Sequence, residues 1–194
     1  MKSSYLKGLN LLFMLLLAIS VNGQLKTISW KKMSGITLLN NAGKTETISQ
    51  TRVIVLVFLS PECPLCRNYI QVLNTLQKKH TEVQIFGIFP GTAYTAKQIN
   101  DFQKEYKVSF NLLIDRKKEL THYLKATTTP ESILISKLGA IPYRGLIDNW
   151  ASGLGQKRKV TTEKFLENAI EDVLNQRIPA TSQTKPIGCL INDI

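Results

Sequence analysis

The 194-residue sequence predicts an α/β fold, a central mixed β-sheet with helices on both faces. Three observations carry that prediction. Val53–Leu59 and Val83–Phe89 are continuous apolar runs, the pattern of strands buried on both faces. Apolar residues between and after them recur at helical spacing. Late in the chain, Glu131–Ser136 and Ile141–Ile147 flank Lys137-Leu138-Gly139-Ala140, a hairpin signal. The resulting order, β–α–β–α–β–α–β–β–α, joins parallel strands by right-handed crossovers and sets an antiparallel hairpin at one edge.

Taken in order, residues 1–23 read as a secretory signal. Lys2 and Lys7 form a basic start, and Leu11–Ile19 is an apolar stretch too short to span a bilayer. Ser20-Val21-Asn22-Gly23 offers small residues before a cut at Gln24. The expected division is therefore a signal peptide over 1–23, one domain over 24–178 and a C-terminal tail over 179–194. The expected location is periplasmic or otherwise exported, with no stable membrane insertion once the signal is cleaved.

Residues 25–49 read as short strands with a turn at Asn40-Asn41-Ala42-Gly43. Pro64 suits a first helical position, and Tyr69, Val72, Leu73 and Leu76 then mark one helix face. Thr95 and Gln98 have capping-box spacing ahead of Ile99, Phe102 and Tyr106. Phe110–Ile114 predicts a short strand, Lys117–Leu124 a short helix, and Asp148–Lys159 a basic loop. Phe165, Leu166, Ala169, Ile170, Val173 and Leu174 give the apolar face of a last helix.

Composition narrows the function. At 43% hydrophobic the chain can build one sizeable core. The formal charge is +11, and Lys2 and Lys7 are the only charged residues of the leader. The densest basic cluster, Gln156-Lys157-Arg158-Lys159, is short and lacks interleaved aromatics, so it reads as solvated surface, with no nucleic-acid partner. No Gly-rich phosphate loop or nucleophile elbow is present. Three cysteines are an odd number, which argues against a purely structural disulfide framework.

Cys63-Pro64-Leu65-Cys66 follows the first apolar run directly and opens a helix. A helix N-terminus favours thiolate, so Cys63, at the exposed end, is the expected nucleophile. Cys66, one turn inside, resolves a mixed disulfide on Cys63. Glu62 opposes the Cys63 thiolate and Arg67 favours it. Thr129-Pro130 stands at a strand start 64 residues beyond Cys66, where an X-Pro bond can be cis. Cys189, within Ile187-Gly188-Cys189-Leu190-Ile191, is open to three readings: a redox partner on a mobile tail, a packed thiol, or a metal ligand. Arg144 reads as a surface charge or as a thiolate-stabilising group. His80 and His122 read as helix-end and helix-surface residues.

On Cys63, Cys66 and Thr129-Pro130 the sequence resembles the thioredoxin-like superfamily. Within it, the chain resembles the exported redoxin (alkyl hydroperoxide reductase/thiol-specific antioxidant-like) branch from about residue 30 to its end. Four segments carry the likeness: Ser60–Cys66, Thr128-Thr129-Pro130-Glu131, Tyr143–Asp148 and Thr184–Ile191. The resemblance implies a thioredoxin-like domain over 24–178 and a cis Thr129-Pro130 loop facing the cysteines. It implies that the Thr129 backbone pairs with an extended substrate segment, and that Pro130 keeps a metal from bridging the thiols. Glu62 stands where thioredoxins usually carry Trp, and Leu56 where the peroxiredoxin loop carries Pro. In similar exported redoxins the equivalent of Cys66 is often not Cys while the Gly-Cys tail is kept, which implies Cys63–Cys189 as an alternative pairing.

The expected function is thus an exported thiol–disulfide oxidoreductase with protein dithiol or disulfide partners and no cofactor or metal. Two alternatives are a thiol peroxidase, with peroxide as substrate and Cys66 or Cys189 resolving, and a copper-binding or metallochaperone domain.

Overall fold

The computed structural model describes residues 25–191. The predicted signal peptide, residues 1–23, lies outside the described residues. Where short strands alone were expected, the described chain opens with a helix, α1 (Trp30–Ser34). Ser29 caps it by accepting a hydrogen bond from the Lys32 N–H at 3.4 Å, and Met33 is its buried anchor. Next come β1 (Leu38–Asn40) and β2 (Thr45–Glu46), joined by the expected turn. Asn40 Oδ1 accepts from the N–H groups of Ala42 and Lys44, and Gly43 supplies the positive φ of +74°.

The expected alternation then follows: β3 (Val53–Phe58), α2 (Pro64–Lys79), β4 (Val83–Pro90), α3 (Ala96–Glu105), β5 (Asn111–Asp115) and α4 (Glu119–Leu124). The later part comprises β6 (Thr128–Thr129), β7 (Glu131–Ile135), β8 (Tyr143–Gly145), β9 (Ala151–Gly153), β10 (Gln156–Lys157), α5 (Phe165–Leu174) and β11 (Cys189–Leu190). The basic stretch after Asp148 is a small β9–β10 hairpin, not the plain loop expected. The tail is not strandless either, since β11 pairs with β6.

Seven strands form the central sheet in the order β2-β1-β5-β4-β3-β7-β8. The β3–β4 and β4–β5 pairs are parallel and the remaining neighbours antiparallel, so the sheet is mixed with the β7–β8 hairpin at one edge. All six residues of β3 are buried because its alternate side chains enter two separate cores. Val53, Val55 and Val57 pack with Leu65, Ile70 and Leu73 of α2, Ile99 and Phe102 of α3 and Leu166 and Ile170 of α5. Ile54, Leu56 and Phe58 pack on the other face with Met33 of α1 and Leu120 and Leu124 of α4. Burying each such side chain is worth roughly 1.5–3 kcal/mol, so two-sided burial holds β3 firmly at the centre of the sheet. The C-terminal ends of the parallel strands β3, β4 and β5 lie side by side, and a crevice outside such strand ends is where open α/β sheets place ligands.

Candidate redox site

Cys63 terminates the loop after β3 and is the N-cap of α2, with φ −76° and ψ 115°. Pro64 follows at the first helical position, where its missing N–H leaves nothing unpaired. Cys63 makes no capping bond of its own, so its sulfur is left for other partners. In the thiol form its S–H donates to the Thr129 carbonyl at 3.2 Å. In the thiolate form the sulfur accepts from the thiols of Cys66 and Cys189. These donors, Cys66 first, outweigh the opposing cost of burial and lower the Cys63 thiol to about 5. Glu62 and Arg67, the neighbours expected to tune Cys63, are not among the causes of that shift. Arg67 instead donates through Nε to the Pro61 carbonyl at 2.7 Å.

Cys66 sits one turn further in, fully buried, and its sulfur accepts the Ser60 N–H at 3.4 Å. Burial first, then the neighbouring Cys63 thiolate, push its thiol well above the ordinary range. The surroundings therefore shift the two thiols of Cys-x-x-Cys in opposite directions, Cys63 down and Cys66 up.

The exposure expected of Cys63 is corrected: it is only 1% exposed. Two segments, the Thr129-Pro130 loop and the tail, meet at its sulfur. The Thr129–Pro130 peptide is cis. Behind this loop Glu131, 2% exposed, accepts the Thr127 N–H at 3.0 Å and pairs with Arg144. Arg144 also donates to the carbonyls of Leu124 at 3.1 Å and Lys125 at 3.2 Å. Arg144 is thus a partly buried brace for the proline loop, neither of the two roles expected for it. The pairing was hidden in the sequence because it depends on the β7–β8 register, which sets Ile133 opposite Arg144.

The tail is docked along β8 and the proline loop in this structure. Arg144 N–H donates to the Ser182 carbonyl at 3.1 Å, and Thr184 N–H donates to the Arg144 carbonyl at 3.0 Å. Thr184 Oγ1 accepts the Leu146 N–H at 2.8 Å. Further on, Cys189 pairs opposite Thr129 and Leu190 opposite Thr128 in antiparallel register. Cys189 is half-buried, and its thiol is raised to about 11 by burial first and then by the Cys63 thiolate. No disulfide joins the three cysteines in this structure.

A cavity of about 780 Å³ opens beside Cys63 at the ends of the parallel strands. Its walls include Ser60, Glu62, Pro90, Tyr94, Arg116, Lys118 and Leu190. Tyr94, which the sequence did not single out, shares a 2.8 Å hydrogen bond with Ser60 and so ties the loop after β4 to the loop after β3.

Among the described residues, one trio of possible metal ligands gathers its atoms within 4.8 Å: His80, Glu167 and Glu171, with none of the three cysteines. Lys79 already bridges both glutamates, at 2.6 and 2.7 Å. His80 is the C-cap of α2 and buried, and His122 is exposed on α4. Among the described residues no helix is long and apolar enough to cross a membrane.

A mixed sheet with Cys-x-x-Cys at a helix start, facing a cis-proline loop, defines a thioredoxin-like protein. The solved structures agree. A hypothetical protein from Sinorhizobium meliloti superimposes with a TM-score of 0.72 at 21% identity, over 88% of this chain and 97% of that one. The thioredoxin domain of a Bacteroides vulgatus thiol-disulfide oxidoreductase gives 0.56 at 18% identity, over 78% and 100%. A secreted disulfide oxidoreductase of Mycobacterium tuberculosis gives 0.52 at 17% identity, over 58% and 84%. Likeness at such identities establishes the fold. The family follows from the sequence: the AhpC/TSA family model matches residues 16–144, and the chain belongs to that family. No curated protein matches it.

Proposed function

We propose that this protein is an exported thiol–disulfide oxidoreductase in which Cys63 is the nucleophile and Cys66 the resolving thiol. One arrangement carries the reading: Cys63 caps the start of α2 with its sulfur 3.2 Å from the Thr129 carbonyl, and Cys66 lies fully buried one turn inside, surroundings that lower the Cys63 thiol and raise that of Cys66. The Cys63 thiolate attacks one sulfur of a partner disulfide, and the other partner sulfur leaves with the electron pair and takes up a proton. Cys66 then gives up its proton and attacks the Cys63 sulfur, releasing the second partner thiol. The partner disulfide is reduced by two electrons, and Cys63 and Cys66 are oxidised to a disulfide. The reverse sequence oxidises a partner dithiol. No cofactor enters either direction. Thr129, whose carbonyl lies against the Cys63 sulfur, and Pro130 present the partner segment.

The test is trapping. The C66S/C189S double variant forms a stable mixed disulfide with a partner at Cys63, and C63S forms none. Absence of adducts in the double variant would overturn the reading. For export, the mature protein is expected to begin at Gln24, which N-terminal sequencing reads directly; a leader still attached would count against a cleaved signal.

A second reading, thiol peroxidase, draws support from Cys189 beside Cys63. Peroxide would oxidise the thiolate to sulfenic acid, and Cys66 or Cys189 would condense with it, releasing water. Peroxide consumption retained in C66S and lost in C63S distinguishes it.

A further inference from the structure

The end of α2 away from Cys63 carries a cluster that disulfide chemistry does not use. His80 caps this end of the helix and is only 7% exposed. Its Nε2 is fully buried and has no hydrogen-bond partner among the described residues. Folded proteins rarely leave a buried polar atom unpaired, so this one calls for a partner. A ring nitrogen of His80 and one carboxylate oxygen each from Glu167 and Glu171 lie within 4.8 Å of one another. The two glutamates are four residues apart on α5, which puts both carboxylates on one face of that helix.

A cation already sits between these carboxylates. Lys79 Nζ lies 2.6 Å from Glu167 Oε1 and 2.7 Å from Glu171 Oε1. Lys164 holds the other oxygen of Glu167, Oε2, at 3.1 Å. The Lys79 ammonium satisfies two carboxylates but leaves the imidazole unpaired. A dication that takes one imidazole nitrogen and two carboxylate oxygens would satisfy all three groups, and its charge would cancel theirs. One nitrogen and two oxygens suit zinc, whereas calcium and magnesium favour ligand sets made of oxygen alone. Zinc bonds of about 2.0–2.2 Å bring tetrahedral ligands to about 3.4 Å from one another, so the trio needs to close by about 1 Å. The Lys79 side chain is 49% exposed, which leaves its ammonium free to withdraw into solvent.

We propose that His80, Glu167 and Glu171 form a zinc site that ties the end of α2 to α5, with the Lys79 ammonium holding the place of the ion when no metal is bound. The site is separate from the thiols, because the sixteen residues of α2 span about 24 Å between them. Zinc bound there neither bridges the cysteines nor takes part in disulfide exchange, and its role is to staple two helices that pack on the same face of the sheet.

The test is calorimetric titration with Zn²⁺ of the full-length C63S/C66S/C189S variant, in which no thiol can take the metal. One Zn²⁺ per chain is expected. On this background K79M removes the competing ammonium, so affinity should rise by up to about fivefold, the factor for one exposed ion pair. H80Q and E171Q should each lower affinity by at least about 100-fold, since groups that merely orient a metal ligand are already worth about 10–100-fold. Glu171 is partly exposed, so E171Q keeps the test open if H80Q does not fold. Zinc should also raise the thermal midpoint of K79M and leave that of E171Q unchanged. No zinc bound by either the parent or K79M overturns the site. Zinc bound by E171Q as tightly as by the parent overturns the choice of ligands. Weaker binding in K79M than in the parent overturns the exchange of ammonium for metal.

Discussion

The β3–α2 unit and the C-terminal tail converge on the same sulfur, yet they are held there by different means. Strand β3 is buried on both faces, and α2 buries Leu65, Cys66, Tyr69, Ile70, Leu73 and Leu76 against one core. The tail over residues 182–191 is half-buried or exposed, with Leu190 76% exposed, and backbone hydrogen bonds and the close approaches at Gly145 and Gly188 hold it. Segments with few buried apolar contacts open locally at much lower free energy than the core. On the proposed reading the two regions contribute differently: the buried unit supplies the larger share of donors to the Cys63 sulfur, and the tail adds a smaller share while covering that sulfur.

The largest effect that bears on this division is loss of the nucleophile. C63A should reduce disulfide exchange by about 10³-fold or more, since the other members of a covalent catalytic unit cannot replace its nucleophile. Turnover of a dithiol-linked disulfide substrate reads this directly. Appreciable activity in C63A would move the chemistry to Cys189 and undo that division.

Next comes the brace between the two regions. In R144M the Glu131 carboxylate stays buried without its guanidinium partner, which typically costs about 3–5 kcal/mol. Urea denaturation measures the loss. R144M should also loosen the tail, because Ser182 and Thr184 are hydrogen-bonded to the Arg144 backbone in the same strand. A loss below about 1 kcal/mol would mean that the pair behaves as an exposed salt bridge and does not support the proline loop.

The pH dependence of Cys63 sharpens the comparison further. With its thiol at about 5, alkylation by iodoacetamide should be flat above about pH 6 and fall as pH drops through 5, where the sulfur takes up its proton. Cys66 contributes nothing in this window because its shift is upward. The linkage has a matching sign. A depressed thiol stabilises the reduced fold fully above the unfolded thiol's range near 9, and that contribution is lost as pH falls through about 5. C189A removes the tail's share of donors to the thiolate, and a charge-assisted bond of this kind is worth about one factor of ten. The alkylation midpoint should then rise to about 6. An unmoved midpoint would assign the whole shift to the β3–α2 unit.

The same contrast explains what the sequence disclosed. The apolar runs of β3 and β4, the α2 and α5 faces and the Thr95–Gln98 capping box were legible because each is a local pattern that one element satisfies. So was the Cys-x-x-Cys, since strand, dithiol and helix are contiguous. Helix α1 escaped because five residues are too few for a periodic signal, and its cap at Ser29 is a single bond. The burial of Cys63 escaped for a different reason. Its cover comes from Thr129 and Cys189, 66 and 126 residues away, joined by a register that no local pattern encodes. Gly188 is the position where sequence held a usable sign: a glycine between apolar residues beside a cysteine marks close backbone approach.

The smallest effect serves as the control. Thr95 caps α3 through a complete capping box, with its side chain accepting from Gln98 N–H at 3.3 Å and Gln98 Oε1 accepting from Thr95 N–H at 2.9 Å. T95A deletes the hydroxyl and should cost about 1 kcal/mol, the usual value of an N-cap. Thr95 makes no hydrogen bond to any of the three cysteines, so the alkylation profile of Cys63 should keep its midpoint near 5 while the urea midpoint falls. Movement of both would mean that scaffold stability and thiolate state are coupled through α3, whose Ile99 and Phe102 share a core with α2. Movement of the urea midpoint alone would show that the nucleophile depends on its own donors and not on the overall stability of the fold.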